Sequence, residues 1–169
     1  MTKMTQEKLC ALIGGFLGKS PGKDNNGDLY VQLSLQIDTS KIQLESESEE
    51  NTPKAIDAVV LFHLQDTDYG NHQQLEIICF APRFPDKPYP LNLKEEQRPD
   101  AVRFCSQLPT LVHPGVSSSF STSGFFYVKK GIEDPGMLPD GWLVEHWLKP
   151  YFTAVTTAFM LICKKFARI

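Results

Sequence analysis

Cysteine is scarce in this sequence, and the few that occur are not spaced for metal binding. The chain has four cysteines in 169 residues, and no two of them form a C-x-x-C pair. Cys79 and Cys163 lie in apolar runs, which favours buried free thiols in a reducing cytoplasm. The four histidines are also scattered singly, whereas a zinc site needs clustered ligands. We therefore expect a cytoplasmic protein with no metal and no cofactor.

Long hydrophobic runs and a strong excess of charge are lacking as well. The most apolar late segment, residues 151–163, is shorter than the about 20 residues that span a bilayer. Acidic Glu7 precedes the first apolar run and no clear cleavage site follows, unlike a secretory signal. The net charge is −3 and the pI is about 5.8, whereas nucleic-acid binders usually carry a basic face. These absences predict a soluble protein that contacts neither membrane nor nucleic acid, and they leave its oligomeric state open.

Alternating hydrophobicity is the clearest pattern that the sequence does contain. Residues 29–37 alternate strictly between apolar and polar side chains, as in a strand with one buried face. Residues 55–64 and 74–82 predict two more strands, joined by the turn-forming residues 66–71. Consecutive strands with short polar joints favour an antiparallel meander.

Helical patterns are predicted at both ends of the chain. Residues 5–17 have apolar positions at helical spacing, with Thr5 as the N-cap and Gly18 as a stop. From Pro150 onward, a wide apolar stripe predicts a long helix packed across the sheet. We expect one α+β domain over residues 1–169, an antiparallel four-stranded meander flanked by an N-terminal helix and a long C-terminal helix.

The middle of the chain is rich in proline. Seven prolines lie in residues 82–114, and proline fixes φ and removes a hydrogen-bond donor. We expect this stretch to follow an irregular path, with one further strand at residues 104–112. Residues 117–123 are rich in serine and predict a loop, and residues 125–128 predict a short strand or turn.

Candidates for catalysis are few. The run from Gly14 to Ser20 resembles a phosphate-binding loop, but Ile13 stands where the first glycine is required. His113 lies near Ser117, yet no G-x-S-x-G elbow is present. Cys105 would need an electropositive, exposed setting to act as a nucleophile. His113 and Cys105 are the weak catalytic candidates that remain.

Aromatic residues supply the candidates for binding. Trp142 and Trp147 are expected to anchor the start of the last helix, with an exposed, ligand-binding aromatic as the alternative. Phe125, Phe126 and Tyr127 form either a core strand or a partner surface. The acidic residues 45–53 predict a solvated loop, with a docking loop for a basic partner as the alternative. The partner-binding candidates are Phe125, Phe126, Tyr127 and Trp142.

The order of several short motifs resembles the ubiquitin-conjugating fold. Residues 84–90, F-P-D-K-P-Y-P, resemble the family's proline-rich stretch, and His113-Pro114-Gly115 resembles its HPN tripeptide. Residues 124–128 occupy the place of the glycine and cysteine segment, and Gly141-Trp142 resembles the tryptophan before the later helices. The resemblance implies that family's helix and four-stranded meander.

The departures from this family fall on its chemistry. Gly115 replaces the asparagine that stabilises the thioester-attack intermediate, and no cysteine occurs between Cys105 and Cys163. The resemblance therefore implies a non-catalytic variant that binds a ubiquitin-like protein or another protein partner.

Two other function classes remain open. A small acidic α+β protein of this size also suits a secretion chaperone or a toxin-neutralising, immunity-like protein, and a chaperone would be a homodimer with an apolar groove. The other of these two classes is an enzyme of unrecognised class that uses His113.

Overall fold

The computed structural model of the chain describes residues 3–37, 55–67, 70–87, 89–120 and 126–167. Its strands are β1 (Gly22–Lys23), β2 (Leu29–Gln36), β3 (Ala55–Asp66), β4 (Gln73–Phe80), β5 (Ser117–Phe120) and β6 (Phe126–Glu133). Its α-helices are α1 (Gln6–Leu17), α2 (Arg98–Leu111), α3 (Asp140–Leu143) and α4 (Lys149–Phe166). Short 3-10 helices lie at Glu95–Gln97 and Pro135–Met137, and a π-helical segment, Val144–Leu148, joins α3 to α4.

The sheet confirms the α+β class but is larger than predicted. The described strands pair antiparallel in the order β1-β2-β3-β4-β6-β5. Strands β2, β3 and β4 follow one another as the sequence predicts, whereas β1 lies outside the predicted strands. The prediction of four strands in all is wrong, because β6 pairs with the free edge of β4 and β5 then extends the sheet.

Alternation along the strands gives the sheet one buried face. On β4, Leu75, Ile77 and Cys79 are fully buried, while the residues between them are only half-buried. The register continues that face across the sheet, because Ile77 lies opposite Phe62 on β3 and opposite Lys130 on β6. Since side chains alternate along a strand, Tyr127 and Lys129 of β6 lie on the other face.

The first helix is closed at both ends by residues that the sequence predicts. The Thr5 side chain accepts a hydrogen bond from the Lys8 backbone N–H, as an N-cap does. Gly18 is left-handed at φ 73° and donates its N–H to the Gly14 carbonyl. Glycine adopts that conformation without the steric strain of a side chain.

The long C-terminal helix is also confirmed, and it packs on the buried face of the sheet. The Phe159 ring of α4 stacks on Phe126 of β6 at 6.2 Å between centroids. Phe152, one turn into the helix, stacks on Phe62 of β3 at 6.3 Å. At the far end of the helix, Phe166 meets Phe104 of α2 edge-on. These contacts hold α2 and α4 together in one helical layer.

The proline-rich stretch is more ordered than predicted. The predicted strand at residues 104–112 is wrong, because residues 98–111 form α2. Pro99 suits the first turn of this helix, since its missing N–H has no helical partner there. Ala101, Phe104 and Leu108 recur at helical spacing, and all three are buried. The burial of this stripe against the core stabilises the helix although Pro109 lies inside it.

The structure differs from the predictions at two further places after α2. Ser117–Phe120 forms the edge strand β5 instead of a loop, because it pairs with β6. The short strand predicted at residues 125–128 extends to Glu133. The acidic residues 45–53 and Phe125 lie outside the described residues. None of the described helices is long and apolar enough to cross a membrane.

Candidate functional site

A line of aromatic side chains crosses the surface of the helical layer. We call Trp142, Trp147, Tyr151 and His113 the aromatic row. The Trp142 and Trp147 centroids are 5.6 Å apart and their rings meet edge-on. The Trp147 and Tyr151 rings stack at 6.2 Å, and His113 lies 5.5 Å from Tyr151. Trp142 is 43% exposed, and the other three members of the row are half-buried.

The π-helical segment explains why Trp142 and Trp147 meet. In an α-helix, two residues five positions apart point about 140° away from each other. The Lys149 N–H donates to the Val144 carbonyl five residues earlier, which is π-helical bonding. This widened turn brings side chains five residues apart onto the same side of the helix. Single π turns inside α-helices are rare and often mark functional sites.

His146 adds a fifth ring at the outer end of the row. It also lies in the π-helical segment, and its ring centroid is 4.6 Å from that of Trp142. A neighbouring ion pair joins Lys149 to Glu145 at 2.6 Å. The exposed end of the row is therefore framed by polar and charged side chains.

A lysine lies at the other end of the row. Lys130 is on the buried face of β6 and is only 8% exposed. Its Nζ lies 4.3 Å from the Tyr151 ring centroid, a cation–π contact, and donates to the Pro114 carbonyl. Burial lowers the Lys130 pKa from its usual value, since desolvation disfavours the charged form.

The turn after α2 contacts this lysine through Pro114 and Gly115. The Pro114 carbonyl that accepts from Lys130 also accepts from His113 Nδ1 at 2.9 Å. Gly115 is left-handed at φ 84°, and a Cβ placed there would lie 2.6 Å from Lys130 Nζ. The left-handed conformation favours glycine at this position, and a side chain there would also force the Lys130 ammonium to shift.

The partner-binding candidates from the sequence do not share one surface. Trp142 and His113 both belong to the aromatic row, although they lie far apart in sequence. Tyr127 is half-buried on the opposite face of the sheet. Phe126 is fully buried, so its assignment to a partner surface is wrong and it is a core residue. Phe125 is outside the described part of the chain.

Cys105 lies outside the aromatic row to which His113 belongs. It lines a cavity of about 260 Å³ between α2 and β5, together with Val102, Ser106 and Ser118. Burial raises the Cys105 pKa, and a hydrogen bond with Ser118 offsets only part of this shift. A raised pKa leaves less of the reactive thiolate. This setting opposes a nucleophilic role for Cys105.

Two histidine–aspartate pairs were not identified from the sequence. His63 Nδ1 lies 2.9 Å from Asp28 Oδ1, and this hydrogen bond is the main cause of a raised His63 pKa. His72 Nδ1 lies 2.9 Å from Asp134 Oδ2, beside a cavity of about 310 Å³. Both pairs join residues distant in sequence, so no local motif indicates them.

Sequence reasoning also missed the role of Lys130 and Tyr151. The one available signal for Tyr151 was its spacing from Trp142 and Trp147, because these three residues cannot all lie on one face of a regular α-helix. Nothing local predicts that Lys130, on a strand, lies under the Tyr151 ring. In the described ranges, no three histidine, cysteine, aspartate or glutamate side chains gather as metal ligands.

Comparison with known proteins adds no assignment. No protein-family model matches this chain, and no curated protein matches its sequence.

Proposed function

We propose that this chain is a protein-binding domain and that the aromatic row is its binding surface. The observation that carries the proposal is the continuous contact from exposed Trp142 through Trp147 and Tyr151 to His113. Tryptophan and tyrosine dominate the energetically important centres of protein interfaces. They provide large contact areas, and each has a polar group that hydrogen-bonds at a wet rim.

The chemistry of the candidate catalytic groups supports binding over catalysis. The Cys105 pKa is raised, and Cys105 lines the cavity between α2 and β5 rather than the row. His113 Nδ1 bonds to a backbone carbonyl, and none of its described hydrogen bonds reaches a serine or cysteine side chain. In this proposal the domain resembles a non-catalytic ubiquitin-conjugating variant, and its partner is a ubiquitin-like or another protein.

The test is partner capture by single-residue variants. The wild-type chain, W142A and W147A are immobilised, and bound proteins are compared quantitatively. V102A is the matched control, because Val102 is a 60% exposed apolar residue on α2 that lies outside the row. We expect each tryptophan variant to weaken binding about 30-fold or more, the effect of losing a hot-spot residue worth about 2 kcal/mol, while V102A binds normally.

Thermal unfolding of each variant separates lost binding from lost folding. Equal binding by folded W142A, W147A and wild type would contradict the proposal. Purified ubiquitin, titrated in parallel, tests the family resemblance. If ubiquitin does not bind but another protein is lost with the tryptophans, the row remains a binding surface and the ubiquitin-like partner is rejected.

The face of the sheet opposite to the one that α4 covers favours a second candidate function, that of a secretion chaperone. There, half-buried Leu61 and Ile78 lie side by side on β3 and β4, next to the Val59–Phe80 pair. A partly apolar sheet face suits the homodimer expected of a secretion chaperone. Light scattering over a range of concentrations tests this alternative, which predicts a dimer that L61E converts to a monomer. A monomeric wild-type chain would exclude it.

A further inference from the structure

Lys130 is a buried cation without a carboxylate partner among the described residues. Its contacts are the Pro114 carbonyl and the face of the Tyr151 ring, and it takes part in none of the seven ion pairs between described residues. Buried charges are normally paired, because removal from water is unfavourable for the charged form. An ammonium has three N–H donors, and the described protein acceptors use one of them.

The surroundings place this ammonium just beneath the surface. Pro114 and Gly115 are exposed, while His113 and Tyr151 are half-buried. No Gly115 side chain covers Nζ, and the ammonium lies against the Gly115 backbone, since a Cβ there would lie 2.6 Å from Nζ. We call the surroundings of Nζ, formed by His113, Pro114, Gly115 and Tyr151, the Lys130 niche.

We propose that the Lys130 niche binds a carboxylate group of the partner, and that an apolar side chain beside this carboxylate lies on the aromatic row. This inference rests on the proposed function, because the niche and the row share Tyr151 and His113. Charge complementarity supports the assignment, since a carboxylate supplies the anionic acceptor that the ammonium lacks among the described residues. The stacked Trp147 and Tyr151 rings continue from the niche and provide the apolar surface beside it.

The donor set favours a carboxylate over a phosphate. Phosphate groups are usually held by several donors, such as arginine forks or successive backbone N–H groups. The described niche offers one ammonium, and no arginine borders it. A singly charged acceptor matches this single cation.

The chain contains its own reporter for the test. Its two tryptophans are Trp142 and Trp147, and both belong to the row, so fluorescence excited selectively from tryptophan reports on this surface. The probes are 3-phenylpropionate and its neutral amide, 3-phenylpropionamide, titrated at constant ionic strength. We expect the wild-type chain to bind the carboxylate at least tenfold more tightly than the amide. K130M is expected to bind the two probes equally, because methionine is close in size to the aliphatic part of lysine and carries no charge.

Each other result overturns the inference in a distinct way. Equal binding of both probes to the wild-type chain rejects the carboxylate site and leaves the row intact as an apolar binding surface. A preference for the carboxylate that persists in K130M places the anion elsewhere. Displacement of 3-phenylpropionate by equimolar inorganic phosphate rejects selectivity for a carboxylate. No fluorescence change with either probe rejects the inference and also removes support from the proposed function.

A folding control accompanies the variant. We expect K130M to unfold at the same temperature as the wild-type chain or higher, since it removes an unpaired buried charge. If K130M does not fold, the comparison of the two probes on the wild-type chain still decides the carboxylate preference.

Discussion

The Trp147 and Tyr151 rings lie 6.2 Å apart with their planes 9° from parallel. Trp147 belongs to the π-helical segment and Tyr151 to α4, so this stack spans the junction between two kinds of helix. Tyr151 also contacts Lys130 of β6 and His113 after α2. One tyrosine therefore joins the three parts of the fold that build the proposed binding surface.

Replacement of Gly115 tests the fit between the turn and Lys130. A left-handed backbone costs an L-residue about 1–2 kcal/mol, and G115A also places a methyl group against Lys130 Nζ. G18A is the matched control, because Gly18 has a similar φ and a Cβ placed there would meet nothing within 4 Å. We expect G115A to lower the free energy of unfolding, measured in urea, by more than G18A does.

A double-mutant cycle identifies the cause of the difference. In a K130A background the excess cost of G115A over G18A should largely disappear, because the clashing ammonium is absent. An unchanged excess would show that Lys130 does not constrain Gly115.

Replacement of Phe126 tests its place in the core. Phe126 is fully buried and stacks on Phe159 of α4, so F126A should lower the free energy of unfolding by about 3–5 kcal/mol. Y127A, the adjacent residue on the opposite sheet face, should cost clearly less. Denaturant unfolding followed by circular dichroism measures both. Similar losses for the two variants would contradict the assignment of the two faces.

His63 should make stability depend on pH near neutrality. The hydrogen bond with Asp28 raises the His63 pKa above 6.5, so protonated His63 is favoured in the folded state. Its contribution is fully present below the unfolded pKa and is lost as the pH rises through the folded pKa. We expect the stability difference between wild type and H63Q to shrink as the pH increases from about 5.5 to 8.5.

The partner of His63 supplies the control for this pH dependence. D28N removes the carboxylate that raises the His63 pKa, so its stability should lack the same pH-dependent component. A difference between wild type and H63Q that is constant with pH would show that the pair does not titrate as expected.

Asp134 should contribute to stability with the opposite pH dependence. Its carboxylate accepts from the Gln73 backbone N–H and contacts His72, and these interactions lower its pKa below 3.8. The contribution is present above the unfolded pKa and is lost as the pH falls through the folded pKa. D134N should therefore be less stable than wild type at pH 6, with the difference vanishing in strong acid.

An exposed aspartate provides the comparison for D134N. Asp100 pairs with Arg103 at 3.5 Å, with both side chains largely exposed, and such pairs contribute little. D100N should follow the wild-type acid-unfolding curve. If D134N does so too, the Asp134 interactions do not stabilise the fold.

The regular elements with strong periodicity could be predicted from the sequence. Strand β2 ends at Gln36, within one residue of the prediction, and α1 has its cap and its stop at Thr5 and Gly18. The helix predicted from Pro150 onward is α4, which begins at Lys149. In these segments the apolar side chains recur at the period of the element, so local sequence alone carries the signal.

Only the tertiary structure decided the remaining strands and the site. A run of serines has weak strand preference, and β5 forms because β6 offers a pairing partner. Helix α2 forms in a proline-rich stretch because the core buries its apolar stripe. Lys130, Tyr151 and His113 meet only after β6, α4 and the turn after α2 pack together. Contacts between residues so distant in sequence depend on the register and layering of the whole fold, and no local pattern encodes them.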